Sequence, residues 1–222
     1  MSKLIVGNWK MNGTTDLVDE FSRMMEADNL VLGLPYIFLS SFRSKTGKIK
    51  LAAQDCSIFS EYGSYTGEVS AKMLRSIGVE YVILGHSERR ALSLLDSAKN
   101  VYRKLSNAIE AGLIAILCID ESYDQLIDKN TAKLIEENDE KVILAYEPLS
   151  AIGTGVVPDI LEIAEQIVDI KERYHGVTTL YGGSVNSKNA SEILSIEGID
   201  GVLIGGASLK AAEMNTILST GL

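Results

Sequence analysis

At 222 residues the chain is long enough for one large domain or two small ones. Its 46% hydrophobic and 23% charged residues permit a sizeable core and exclude a disordered or fibrous chain. Thirty acidic residues against 21 basic ones leave a net charge of -9, which speaks against a nucleic-acid or anionic-membrane surface. Any anionic substrate must therefore be drawn in locally. Cys56 and Cys118 lie in or beside apolar runs and are expected to be core thiols in a reducing compartment, with no disulfide. His86 and His175, the only histidines, lack neighbours at metal-ligand spacing, so no metal is expected. The start from Met1 to Gly7 is too short an apolar run for a signal peptide and no later run approaches spanning length, so a cytoplasmic location is expected.

Short branched apolar runs recur along the chain, each closed by a turn-forming residue. They predict strands over Leu4–Asn8, Leu30–Leu34, Ile49–Gln54, Tyr81–Leu84, Leu113–Ile119, Val142–Tyr146, Thr178–Tyr181 and Val202–Ile204. Between them lie helical stripes such as Val101, Leu105, Ala108 and Ile109, or Ile160, Ile163, Ala164 and Ile167. Pro158 suits the first turn of a helix, and Gly78 and Gly112 suit helix exits. Eight alternating units predict an α/β fold of (β/α)8 type as a single domain over residues 1–222, although periodicity alone also allows a doubly wound open sheet.

In such a barrel the loops after the strands converge on one mouth, so strand ends are where chemistry is sought. The first ends in Gly7-Asn8-Trp9-Lys10, which sets an ammonium beyond the apolar run; by itself that is usually only a solvated lysine. The fourth ends in Gly85-His86-Ser87-Glu88, placing an imidazole beside a helix N-terminus, a setting that disfavours imidazolium; a satisfied core histidine is the plainer alternative. The sixth ends in Tyr146-Glu147-Pro148 ahead of a glycine-bearing loop, Ala151-Ile152-Gly153-Thr154-Gly155; Glu147 is either a base beneath a closing loop or a loop salt bridge. The seventh and eighth end in Gly182-Gly183-Ser184 and Gly205-Gly206-Ala207-Ser208, both leading into helices, which is how backbone N–H groups are presented to phosphate. A dinucleotide reading of the segment from Gly153 to Pro158 fails because Pro158 replaces the third glycine.

Taken together, these five strand-end segments, with Ala53-Gln54-Asp55-Cys56 and Tyr65-Thr66-Gly67-Glu68 between the first two, closely resemble the triosephosphate isomerase family over nearly the whole chain. The resemblance implies a TIM barrel and the interconversion of dihydroxyacetone phosphate and D-glyceraldehyde 3-phosphate through an enediolate, without cofactor or metal, in glycolysis and gluconeogenesis. It implies Glu147 as general base, His86 as electrophile and proton shuttle, and Lys10 as partner of the developing negative charge, roles long established for that family. It further implies Asn8 in the substrate site, Glu88 in support, phosphate held by Gly153, Ser184, Gly205 and Gly206, and a mobile lid after Glu147. A homodimer is implied through the loop Ser57–Ser70, which keeps Ile58, Phe59, Tyr62 and Tyr65.

The chain departs from the family in three places. Leu149 and Ser150 stand where valine and tryptophan are usual, Asp120 stands where glycine is usual, and the stretch from Glu121 to Lys141 is short, which predicts a trimmed outer helix. A catalytically silent barrel that binds phosphorylated metabolites is the alternative from another class, and retained Lys10, His86 and Glu147 speak against it. A barrel isomerase for a larger phosphorylated substrate would need a wider pocket.

Overall fold

The computed structural model describes residues 2–24, 27–45, 49–92, 96–151 and 158–220. Eight strands, β1 (Leu4–Asn8), β2 (Leu30–Leu34), β3 (Lys50–Ala53), β4 (Tyr81–Leu84), β5 (Ile114–Ile119), β6 (Val142–Tyr146), β7 (Thr178–Tyr181) and β8 (Gly201–Ile204), pair in parallel in chain order. Every predicted strand is present, with ends within one residue of those expected. Leu4 to Gly7 of β1 align with Gly201 to Ile204 of β8, so the sheet closes on itself and the open-sheet alternative is excluded.

Alternation along the strands divides the apolar residues into two cores. Val6, Val31, Ala52, Ile83, Ile116, Cys118, Ala145, Leu180 and Leu203 fill the barrel, whereas Ile5, Leu32, Leu84, Leu117, Leu144 and Val202 face the surrounding helices. Those helices are α1 (Thr15–Met24), α2 (Tyr36–Arg43), α3 (Ala71–Ser76), α4 (Ser87–Leu92), α5 (Ala98–Glu110), α6 (Tyr123–Leu126), α7 (Lys129–Glu136), α8 (Ile160–Arg173), α9 (Ala190–Leu194) and α10 (Ala211–Thr220). On α5 the predicted stripe of Val101, Leu105, Ala108 and Ile109 is buried. On α8 the buried line is Ile163, Ile167 and Ile170, with Ile160 and Ala164 packed at its margin.

Two local expectations need comment. Pro158 lies just outside α8 and not in its first turn, because Asp159 caps the helix by accepting the Leu161 N–H at 2.8 Å. Gly78 and Gly112 do close α3 and α5, both with left-handed φ. The fifth unit folds as the short pair α6 and α7. Tyr123 of α6 donates to Asp169 of α8, while Arg173 lies over the Tyr123 ring at 5.2 Å and reaches Asp124 at 2.9 Å, so α6 is tied to its neighbour.

Closure leaves no room at Gly201, where a Cβ would stand 2.0 Å from the Leu4 carbonyl oxygen. Gly201→Ala is therefore expected to destabilise the protein by about 3 kcal/mol or more through forced separation of β8 from β1. Urea unfolding midpoints at unchanged slope check this.

Candidate active site

The end of β1 sends successive side chains in opposite directions. Trp9 turns outward into the helix layer, edge-on to Phe21 with ring centroids 5.0 Å apart, so Asn8 and Lys10 are left to face the mouth. Lys10 is the one non-glycine residue among those described with left-handed backbone, φ 55°. Its N–H donates to Asn8 Oδ1 at 3.1 Å, and its carbonyl takes Gln54 Nε2 at 3.0 Å. The same Gln54 amide nitrogen reaches Asn8 Oδ1 at 3.3 Å and the Gly33 carbonyl at 3.0 Å. Lys10 Nζ then meets Glu88 Oε1 at 2.5 Å, which ties the ammonium to the rim of the site.

His86 reaches the interior through a break in strand alternation. Tyr81 and Ile83 of β4 face inward, so unbroken alternation would put residue 85 inward. Gly85 instead has φ 66°, and a Cβ on it would meet Val101 and Leu117 of the outer core at 3.3 Å. The phase slips by one residue and the imidazole turns in. Its Nδ1 accepts the Glu88 N–H at 3.2 Å, so the proton of a neutral ring sits on Nε2. Glu147 follows Ile143 and Ala145 on the inner face of β6, and its N–H donates to the Ile119 carbonyl at 2.7 Å. His86 Nε2 and Glu147 Oε1 are 3.1 Å apart, both side chains almost wholly buried. Among the described residues, Glu147 Oε2 has no hydrogen-bond partner.

The carboxylate has little freedom. A Cβ on Gly182 would stand 2.7 Å from Glu147 Cγ, so glycine there lets β7 press against the side chain. Cys118 lies on the inner face of β5 beside it; burial, and after it the Glu147 charge, push that thiol well above its ordinary range. Asn8, Lys10, His86, Glu147, Ser184, Gly205 and Gly206 all line one cavity of about 330 Å³. Among the described residues, no protein acceptor takes the N–H of Ser184, Gly205 or Gly206. Gly205 caps the 3-10 turn Gly206–Leu209, and Ser184 is pinned by donating to the Ala151 carbonyl at 2.6 Å. Seven of the eight expected substrate-binding and catalytic positions thus share a single pocket; the eighth, Gly153, lies with most of the expected lid outside the described residues. Glu88 stands at the rim through Lys10, and His175 is exposed after α8, away from the cavity. No three His, Cys, Asp or Glu side chains among the described residues come together as a metal site requires.

The triosephosphate isomerase family model matches residues 3–221. The chain belongs to the triosephosphate isomerase family. It is 37% identical over 248 aligned positions to triosephosphate isomerase of Francisella tularensis subsp. holarctica (strain FTNF002-00 / FTA), covering 99% of this chain and 97% of that one. It is 39% identical over 242 positions to triosephosphate isomerase of Mesomycoplasma hyopneumoniae (strain 7448), covering 98% and 99%, and 37% identical over 240 to that of Ruegeria sp. (strain TM1040), covering 98% and 97%. Alignments longer than the chain's 222 residues mean that family members carry segments this one has trimmed.

Within this family member several residues that matter to the site were not singled out from sequence. Gln54 reads as the end of a strand and Cys118 as plain core, and Lys210, which also lines the pocket, is not among the residues considered. Parity along β5 was the available signal for Cys118, since it falls in phase with Ile114 and Ile116. Gln54 lies in the motif Ala53-Gln54-Asp55-Cys56, but nothing local shows its role, because its three acceptors come from the first two strands and the turn after the first.

Burial also governs thiol chemistry here. Desolvation, then the Asp55 charge, push Cys56 up to about 12, so at pH 8 its thiolate fraction is on the order of 10⁻⁴. Cys118 is held high in the same sense. Neither thiol should react with iodoacetamide at pH 8 in the folded protein, and both should react in urea, as mass spectrometry of the alkylated protein would show.

Proposed function

We propose that this chain, as one domain over residues 1–222, is a cytoplasmic triosephosphate isomerase of glycolysis and gluconeogenesis that interconverts dihydroxyacetone phosphate and D-glyceraldehyde 3-phosphate. The observation that carries the reading is a buried carboxylate whose Oε1 stands 3.1 Å from an imidazole Nε2 and whose Oε2 has no hydrogen-bond partner among the described residues, in a pocket that also holds Lys10 and two glycine-rich strand ends. Glu147 takes a proton from the carbon next to the substrate carbonyl and yields an enediolate. The Nε2–H of His86 donates to the oxygens of that intermediate and moves a proton between them. Lys10 balances the charge that develops there. The proton on Glu147 then returns to the neighbouring carbon. The amides of Ser184, Gly205 and Gly206, which have no protein acceptor among the described residues, hold the phosphate, with Gly153 in the same role as the family resemblance implies. The pocket, about 330 Å³, suits a three-carbon phosphate better than a larger sugar.

The working unit in this reading is a homodimer joined through Ser57–Ser70. That loop exposes Tyr62 and Tyr65, and Tyr65 stacks on Phe59 with centroids 3.7 Å apart. Beside the site, and sharing Lys10 and His86 with it, lies a second cavity of about 780 Å³ bordered by Met11, Tyr36, Phe38 and Val69. Met11, Ile37 and Leu92 are more than three-quarters exposed, an apolar patch for a partner's loop to cover. Sedimentation velocity should give twice the monomer mass of 24.1 kDa, and Tyr62→Arg should shift the distribution toward monomer.

A coupled assay on either triose phosphate tests the chemistry. Glu147→Asp withdraws the carboxylate by about 1 Å and should lower kcat by roughly 10²-fold with KM little changed. Turnover equal to the parent would remove Glu147 from the role of base.

A further inference from the structure

Asp120 directly follows β5 and is 2% exposed. Its carboxylate serves two elements at once. Oδ1 accepts the Ser122 N–H at 2.8 Å and the Ser122 hydroxyl at 2.6 Å, which shapes the turn into α6. Oδ2 accepts Arg90 Nη2 at 2.6 Å, across the gap to the neighbouring unit. Arg90 in turn donates from Nε to the Gly85 carbonyl at 2.8 Å. Gly85 immediately precedes His86 and is the residue whose left-handed backbone turns the imidazole inward.

The residues either side of Asp120 hold the other half of the proton-transfer pair. The Ile119 carbonyl accepts the Glu147 N–H at 2.7 Å, and the Glu121 carboxylate accepts the Leu149 N–H at 3.2 and 3.3 Å. Ile119-Asp120-Glu121 therefore grips the backbone of the glutamate directly and that of the histidine through Arg90. A turn-former needs only one carboxylate oxygen. Burying the second against a guanidinium carries a desolvation cost, and fixing a register between neighbouring elements is the best-attested return on such a pair.

We propose that Asp120 is a positioning residue for the isomerisation: through Arg90 and the Gly85 carbonyl it sets His86 against Glu147. The inference rests on the assignment of those two residues above.

The test measures kcat and KM in Asp120→Asn, Arg90→Lys and the double variant, each well below its melting temperature. Asparagine keeps the Ser122 turn and loses the charge facing Arg90; lysine keeps a cation and cannot bridge Gly85 and Asp120 together. Each single change should lower kcat about tenfold with KM within about twofold, and the double should lose no more than the worse single. Ser122→Ala, which disturbs only the turn, should leave kcat within about twofold. Should Asp120→Asn fail to fold, Arg90→Lys reads the same strut. Parental kcat in folded Asp120→Asn or Arg90→Lys, losses that multiply in the double, or a rise in KM alone would overturn the strut while Glu147→Asp remains impaired. Parental turnover in Glu147→Asp would overturn the base assignment and this proposal with it.

Discussion

Everything at the mouth depends on the closure of β8 onto β1. Lys10 at the end of the first strand and Gly205 at the end of the last are nearly the full chain apart, yet a Cβ on Gly205 would meet Lys10 Cε at 3.5 Å. An open sheet would place those two strands on opposite edges. The register of Gly7 against Ile204 brings them together, and Gly201 permits it by letting the Leu4 backbone approach where no side chain fits. Once the cylinder is closed, inner-face parity delivers Asn8 and Glu147 to one cavity without special local structure.

Two residues in the site required more than parity. Lys10 needs a left-handed backbone, and its cost is met by bonds from Asn8 and Gln54 that leave it little alternative. His86 needs a phase slip, which Gly85 supplies. Lys10 is held by Asn8 and by Gln54 from the end of β3, and the Gly85 carbonyl by Arg90, itself tied to Asp120 after β5, so the precision of the site is a property of the barrel rim and not of any one loop.

Two of the three expected departures, Asp120 and the short stretch from Glu121 to Lys141, follow β5, beyond the pocket itself. The fifth unit consists of the short helices α6 and α7, and Tyr123 and Arg173 bind α6 to α8. Asp120 introduces a charge into the rim and is met at once by Arg90. Burial alone would raise that carboxyl; the bonds from Ser122 and Arg90 outweigh burial and hold it below its ordinary range. An added buried charge that arrives with its partners in place costs far less than one without.

From the sequence alone the eight strands, their alternation with helices and the five strand-end motifs were legible, because branched apolar runs and glycine punctuation are local signals of period and turn. The motifs, through their order, also carried the family. The distances between residues of different strands were not legible. That His86 Nε2 stands against Glu147 Oε1, that Gln54 ties the first three strands and that Arg90 finds Asp120 are consequences of how the strands pair and curve into the barrel, which sets the spacing of groups that no local stretch of chain contains. Local chemistry determined which residues were available, and the closed barrel decided which of them meet.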